Sequence, residues 1–189
     1  MCNLYSFTTN QAAIIALCRV INRYVGNLPP MPGVFPDYPA PVVRNAGAER
    51  ELTMMRWGMS PPSRTAGPPV TNIRNTSSPH WRAWLGPKNR CLVPANSFAE
   101  YSPEPNPVTK KKDVVWFALN DDRPLFAFGG IWTEYRGDRG TEADPRSASG
   151  LRISDDGAEC DCRTDPPQGH AGDPDDGRGA RRLDARALG

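Results

Sequence analysis

At 189 residues, 38% of them hydrophobic, with 21 prolines and 17 glycines, the chain is long enough for one domain with a real core but is rich in loops. No stretch approaches the roughly 18 apolar residues of a membrane span, and the start, MCNLYSFTTN, lacks the basic flank and apolar run of a secretory signal, so a soluble, cytoplasmic protein is expected. The net charge of +2 conceals an asymmetry: residues 1–145 hold 16 Lys and Arg against 12 Asp and Glu, whereas residues 146–189 hold 7 against 9, a balance compatible with a phosphate-bearing partner but not diagnostic of one.

In chain order, Thr8, Thr9 or Asn10 is placed to cap a helix whose apolar stripe is Ile14, Leu17, Cys18, Ile21 and Val25, with Gly26 as its stop. Most of the remainder reads as strands: 52–58 (LTMMRWG), 90–94 (RCLVP), 114–119 (VVWFAL) and 125–132 (LFAFGGIW), separated by turn residues. A second short helix is expected from Ser78 to Leu85. Lys110, Lys111 and Lys112 form the densest basic run, but beside Pro105 and Pro107 they read as a solvated hairpin loop. All Trp, Tyr and Phe residues fall before Arg136, and after Arg146 the large aliphatic residues are only Leu151, Ile153, Leu183 and Leu188. Such a segment cannot bury enough apolar surface to offset its ordering entropy. The expected class is therefore α+β, a single domain over residues 1–140 with a mainly antiparallel sheet and few helices, followed by a disordered tail over 141–189.

The five cysteines stand at 2, 18, 91, 160 and 162; the odd number and the lack of an export signal argue against a disulfide framework. Cys160, Cys162 and His170 are spaced Cys-x-Cys-x7-His, which is not a zinc spacing, and neither a metal nor a cofactor is expected. Cys2 carries more chemical promise. It is followed by the small residue Asn3, so removal of Met1 would leave an α-amine and a thiol on one carbon skeleton. The amine condenses with an aldehyde to an imine and the thiol then closes a thiazolidine. With an amine pKa of about 7.7–8.0 and a thiol pKa of about 8.5, roughly a tenth or more of the amine is neutral near pH 7.

Further motifs follow in order. Arg56-Trp57-Gly58 ends a strand, Thr71-Asn72-Ile73-Arg74-Asn75-Thr76 follows a Pro/Gly loop, and Arg90-Cys91-Leu92-Val93-Pro94-Ala95-Asn96-Ser97-Phe98-Ala99-Glu100-Tyr101 runs from a strand into a turn. Together with Cys2, these resemble the signature of the SOS-response-associated peptidase (SRAP) family over residues 1 to about 135. The resemblance implies a curved, barrel-like sheet and a protein that caps abasic sites in single-stranded DNA through a covalent crosslink, with an autopeptidase activity. It implies that Cys2 is the nucleophile, that Asn72 orients the abasic sugar and that Glu100 is the general acid/base. Arg74 is implied to contact phosphate; Arg56 is placed to do likewise, and Trp57 reads equally as a stacking surface or as a core ring. The partner implied is single-stranded DNA containing abasic sites, bound by a monomer in a bacterial-type cytoplasm at the nucleoid.

Past this point the family continues with a Gly-Pro-His-Leu-Val-Tyr-Gly-Phe-Leu-Thr-Thr strand and a His-Pro-Lys-Ala-Met-Pro-Val element whose His belongs to the active site; neither string occurs here. Yet if each tail codon is read as the last base of one family codon plus the first two bases of the next, Arg146 to Leu151 recover Gly-Pro-His-Leu-Val-Tyr. By the same rule Arg152 to Asp156 recover Gly-Phe-Leu-Thr-Thr, and Pro166 to Gly172 recover His-Pro-Lys-Ala-Met-Pro-Val. The tail therefore reads as out of frame from between about Thr141 and Arg146. In that reading His170 is not the family's histidine, and a strand is lost. Two rivals stand beside the crosslinking enzyme: a catalytically impaired remnant that at most binds DNA, and an N-terminal-cysteine amidotransferase-type hydrolase. The latter would begin Met-Cys-Gly-Ile and carry an Asn-Gly element, whereas this chain begins Met-Cys-Asn-Leu and has no Asn-Gly pair.

Overall fold

The computed structural model describes residues 2–22, 27–59, 69–134, 149–154 and 181–183. After β1 (Leu4–Phe7), helix α1 (Gln11–Cys18) starts where the side chain of Asn10 accepts a hydrogen bond from the Ala13 amide, as an N-cap should. The helix stops earlier than its apolar stripe suggested, because Arg19 turns left-handed with φ 50° and donates its N–H to the Ile15 carbonyl. Ile21 and Asn22 then leave helical geometry to form β2 (Ile21–Asn22), parallel to a later strand. Within the helix Ile14 and Cys18 are the buried pair, while Leu17 is exposed; Val25 and Gly26 lie outside the described residues.

The next strands are β3 (Met31–Val34), β4 (Pro39–Ala46) and β5 (Glu49–Trp57). β4 and β5 form a hairpin in which Ala46 faces Glu49, and Gly47 takes φ 69° in the two-residue turn. After β6 (Asn72–Ile73), the expected helix at 78–85 is a 3-10 helix, Pro79–Trp84. β7 (Arg90–Ala95), β8 (Ser97–Pro105), β9 (Lys112–Ala118) and β10 (Phe126–Glu134) follow; β7, β9 and β10 match the remaining expected strands, whereas β8 stands where the sequence was read as a turn. The turn joining β8 to β9 exposes Lys110 and Lys111 to solvent. Of the tail expected to be disordered, the backbone of β11 (Ser149–Ser154) and β12 (Arg181–Leu183) is described; the rest of 141–189 lies outside the described residues.

One sheet has the order β12-β9-β8-β1-β3 and the other β2-β5-β4-β7-β10-β11-β6. Pairing is antiparallel except where β2 and β11 meet β5 and where β11 meets β6. The α+β class with a curved, mainly antiparallel sheet is thus what the structure shows, divided between two sheets that do not close into one barrel. Between them lies the main core, in which Tyr5, Phe7, Ile14, Val34, Val42, Leu52, Trp57 and Val93 are fully buried. A smaller cluster of Met59, Ile73, Trp81 and Ile131 packs under the 3-10 helix. Among the described residues no helix is long and apolar enough to cross a membrane.

Candidate functional site

Gly58 explains why the site forms at the end of β5. Its φ is +126° and a Cβ there would meet Pro69 Cβ at 2.7 Å, so only glycine fits without displacement. The chain departs there and returns through reciprocal bonds between Met59 and Val70, at 3.0 and 2.8 Å. That return brings Thr71 to Trp57, whose indole Nε1 donates to the Thr71 carbonyl at 3.1 Å. It also sets the next residue, Asn72, beside the N-terminus.

Asn72 is only 7% exposed. Its Nδ2 donates to the Cys2 carbonyl at 2.9 Å and to Thr71 Oγ1 at 3.1 Å, whereas its Oδ1 is buried without a hydrogen-bond partner. Leaving a buried acceptor unmet costs about 1–3 kcal/mol, and such an atom marks a place where a donor is expected to arrive. Cys2 is itself buried, with its Sγ–H donating to the Leu4 carbonyl at 3.4 Å. None of the three described cysteines, Cys2, Cys18 and Cys91, is in a disulfide.

Glu100 approaches from β8. Leu4 faces Ala99 and Tyr5 faces Phe98, so one step further along this register Asn3 faces Glu100, with Cys2 next in the chain. Side chains alternate along a strand, which puts half-buried Glu100 on the same face as Phe98 and Tyr5. The structure therefore brings Cys2, Asn72 and Glu100 to one end of the fold, although the three come from the two different sheets and the segment before β1.

The cationic candidates divide. Arg74 is exposed, two residues beyond Asn72. Arg56 is part-buried and donates through Nη1 to the Asp37 carbonyl at 2.9 Å, with the Asp37 carboxylate at 3.4 Å, so it braces the turn between β3 and β4. Of the two readings of Trp57, the stacking surface is corrected and the core ring is what the structure shows: the residue is fully buried and its ring packs edge-to-face with Tyr5 at 5.3 Å.

A scan for families matches residues 1–149 to the model described as SOS response associated peptidase (SRAP). The chain belongs to the SRAP family. A curated relative is the abasic site processing protein YobE of Bacillus subtilis (strain 168), 30% identical over 116 residues, which are 58% of this chain and 51% of that protein. This SRAP chain thus spans about half the length of the curated relative it matches. The crystal structure of a phage-related protein from Bordetella bronchiseptica shares the fold, with a TM-score of 0.56 at 17% identity, covering 81% of this chain and 68% of that one.

Two buried residues that hold β1 in this SRAP chain escaped the sequence. Tyr5 is fully buried and its hydroxyl has no hydrogen-bond partner; burial first, then the neighbouring Cys2 and Cys91 thiols, hold its proton on well above the ordinary phenol range. The other is Asn96, buried at the β7–β8 corner. Its Oδ1 accepts from the Thr8 and Thr9 amides at 2.9 and 3.2 Å, and its Nδ2 donates to the Arg123 carbonyl at 2.9 Å. The Pro94-Ala95-Asn96 turn residues were the available signal, since Asn commonly bonds backbone at corners, but partners 87 and 88 residues away were not readable.

Proposed function

We propose that this chain processes abasic sites: acting as a monomer, it binds single-stranded DNA and Cys2, freed of Met1, forms a thiazolidine with the ring-opened sugar. The observation that carries the reading is the buried Asn72, bonded through Nδ2 to the Cys2 carbonyl while Oδ1 stays without a donor. An amide oxygen lies only about 2.3 Å from its own nitrogen, by standard covalent geometry, so this acceptor stands within a few ångströms of Cys2, ready for a sugar hydroxyl. The family membership and the name of the Bacillus subtilis relative point the same way.

The chemistry balances without a cofactor. The neutral α-amine of Cys2 adds to the sugar aldehyde to give a carbinolamine, and loss of that hydroxyl as water leaves an imine. The thiol sulfur then adds to the imine carbon while its proton passes to the nitrogen, closing the ring. Glu100 is the group proposed to give and take the protons at the sugar ring oxygen and the carbinolamine hydroxyl. Arg74 is proposed to hold a phosphate of the strand. The autopeptidase activity that the family's name implies would be the step that exposes the Cys2 amine.

Denaturing gels and intact mass on oligonucleotides with one abasic site test this. Wild-type chain is expected to lack Met1 and to form an adduct one water lighter than the sum of its parts, and Cys2→Ser to form none stable to denaturation. An equal yield from Cys2→Ser would sink the thiazolidine. A second reading, the impaired remnant, is favoured by the tail, which lacks the family's His-Pro-Lys-Ala-Met-Pro-Val element. Under it the chain binds DNA but crosslinks only slowly.

A further inference from the structure

The turn between β3 and β4 exposes two aromatic rings side by side. Phe35 and Tyr38 are 45% and 50% exposed and meet edge-to-face with ring centroids 5.6 Å apart. The turn is held rigidly. Tyr38 N–H donates to the Phe35 carbonyl at 3.1 Å, Asp37 N–H to the Trp57 carbonyl at 2.7 Å, and Trp57 N–H to the Tyr38 carbonyl at 2.9 Å. Asp37 between the rings takes a left-handed φ of 69°, uncommon for a residue other than glycine, and Arg56 bonds its carbonyl.

Its location gives the pair a use. Tyr5 faces Val34 across β1 and β3, so the next step of that register sets Leu4 opposite Phe35, with Cys2 about 7 Å further along the strand direction at roughly 3.4 Å per residue. Trp57, which anchors the turn through its backbone, bonds Thr71 through its indole, and the following Asn72 bonds Cys2. The rings, the thiol and the Asn72 amide therefore belong to one braced end of the molecule, with the Arg56 guanidinium against the same turn.

We propose that Phe35 and Tyr38 form a stacking platform for the nucleobase flanking the lesion in a single strand. The proposal rests on the abasic-site reading above and says how that site is found: an abasic nucleotide has lost its own base, so its neighbour presents an uncovered π-face. A rigid aromatic surface covers that face without regard to sequence and with little ordering cost, since the turn is already fixed. An apolar protein partner or a second copy of the chain would also cover the rings. Neither accounts for their placement at the same braced end of the molecule as Cys2.

The test uses the full chain and a single-stranded oligonucleotide with 2-aminopurine beside a tetrahydrofuran abasic analogue, which has no aldehyde and cannot crosslink. Wild-type chain is expected to quench the 2-aminopurine saturably. Phe35→Ala and Tyr38→Ala are each expected to lose the quench and to bind about ten-fold more weakly, within the range for removing one base–aromatic stack. Tyr38→Phe should restore both, and thermal unfolding of all variants checks that they fold. Quenching unchanged in folded alanine variants overturns the platform, as does a change of oligomeric state with either substitution, or no quenching by wild type. Quenching with the analogue but no adduct on a true abasic site would instead uphold the platform and remove the crosslinking reading.

Discussion

Tyr5 illustrates how one side chain can couple the core to the site. Its ring is wedged edge-to-face between Trp57 at 5.3 Å and Phe128 at 6.2 Å, while its hydroxyl, beside Cys2, is satisfied by nothing. Burial raises its pKa and, in the same region, raises that of Cys91, with nearby Arg44 opposing only in part. Both groups are neutral when protonated and both have folded values above their unfolded ones. Their contribution is thus fully present below the unfolded values, about 8.5 for a thiol and 10 for a phenol, and is lost as pH rises past them, because only the unfolded chain then releases protons. Thermal unfolding midpoints should hold up to about pH 8 and fall steadily by about pH 10.5, the window those unfolded values set. Tyr5→Phe should leave the midpoint near neutral pH unchanged or slightly raised, since an unmatched buried hydroxyl is removed, and should soften the alkaline decline. A wild-type midpoint that stays flat across the alkaline range would contradict the burial of both groups.

At the scale of elements, β1 holds the site in register, and Asn96 holds β1. Asn96 N–H donates to the Ser6 carbonyl at 2.8 Å, its side chain takes the Thr8 and Thr9 amides, and its Nδ2 ties down the turn before β10 through Arg123. Since Leu4 faces Ala99 in this register, a slip of one residue would turn Tyr5 out of the core and carry Cys2 away from Glu100. Asn96→Ala takes the acceptor from the Thr8 and Thr9 amides and is expected to cost about 1–3 kcal/mol, the cost of one unmet group, since Thr8 is exposed and water can reach its amide. Asn96→Asp keeps the acceptor and should cost about half as much. Urea unfolding measures both, and equal losses for Ala and Asp would show that the threonine amides are not what the side chain serves. The sequence disclosed little of this: β1, β3 and β4 are Pro-rich or short, and β4 holds Pro39 and Pro41 within its eight residues, a composition that reads as loop until the partners β5 and β7 are known.

For the whole molecule, the decisive strand is β11. It lies against β10, β5 and β6, and pairs Ile153 with Asn72, so the short strand carrying the candidate amide is held by the tail. Ser149 to Ser154 are also the residues whose codons, in the shifted frame, read Leu-Val-Tyr-Gly-Phe-Leu, and the family match ends at residue 149. Ser-Gly-Leu-Arg-Ile-Ser is a poor sequence for a strand with neighbours on both sides, where apolar, β-branched and aromatic residues are favoured. A frame-corrected chain is therefore expected to be more stable. Each large side chain newly buried contributes on the order of 1.5–3 kcal/mol, against roughly 5–15 kcal/mol for a whole domain. It should also crosslink faster, because Asn72 is better held and the family's histidine returns. Parallel expression, thermal unfolding and crosslinking rates decide it; a 189-residue chain that unfolds as cooperatively and reacts as fast as the corrected one would refute this account of the tail.

The sequence by itself determined the α+β class, the family and the break in composition near Arg136, and through the family resemblance it named Cys2, Asn72 and Glu100 as candidates, because those depend on residue identity, local spacing and turn chemistry. Tertiary structure alone decided that α1 ends at Cys18, that Trp57 is a core ring and not a stacking surface, that Arg56 braces a turn, that Asn96 ties β1 to the β7–β8 corner, and that Tyr5 is buried in the core close to Cys2. Each of these depends on partners many residues away: Trp57 is buried by Tyr5 from another sheet, and its backbone holds the β3–β4 turn in which Phe35 and Tyr38 stand exposed side by side. Burial and register are properties of pairs of distant segments, and no local pattern contains them.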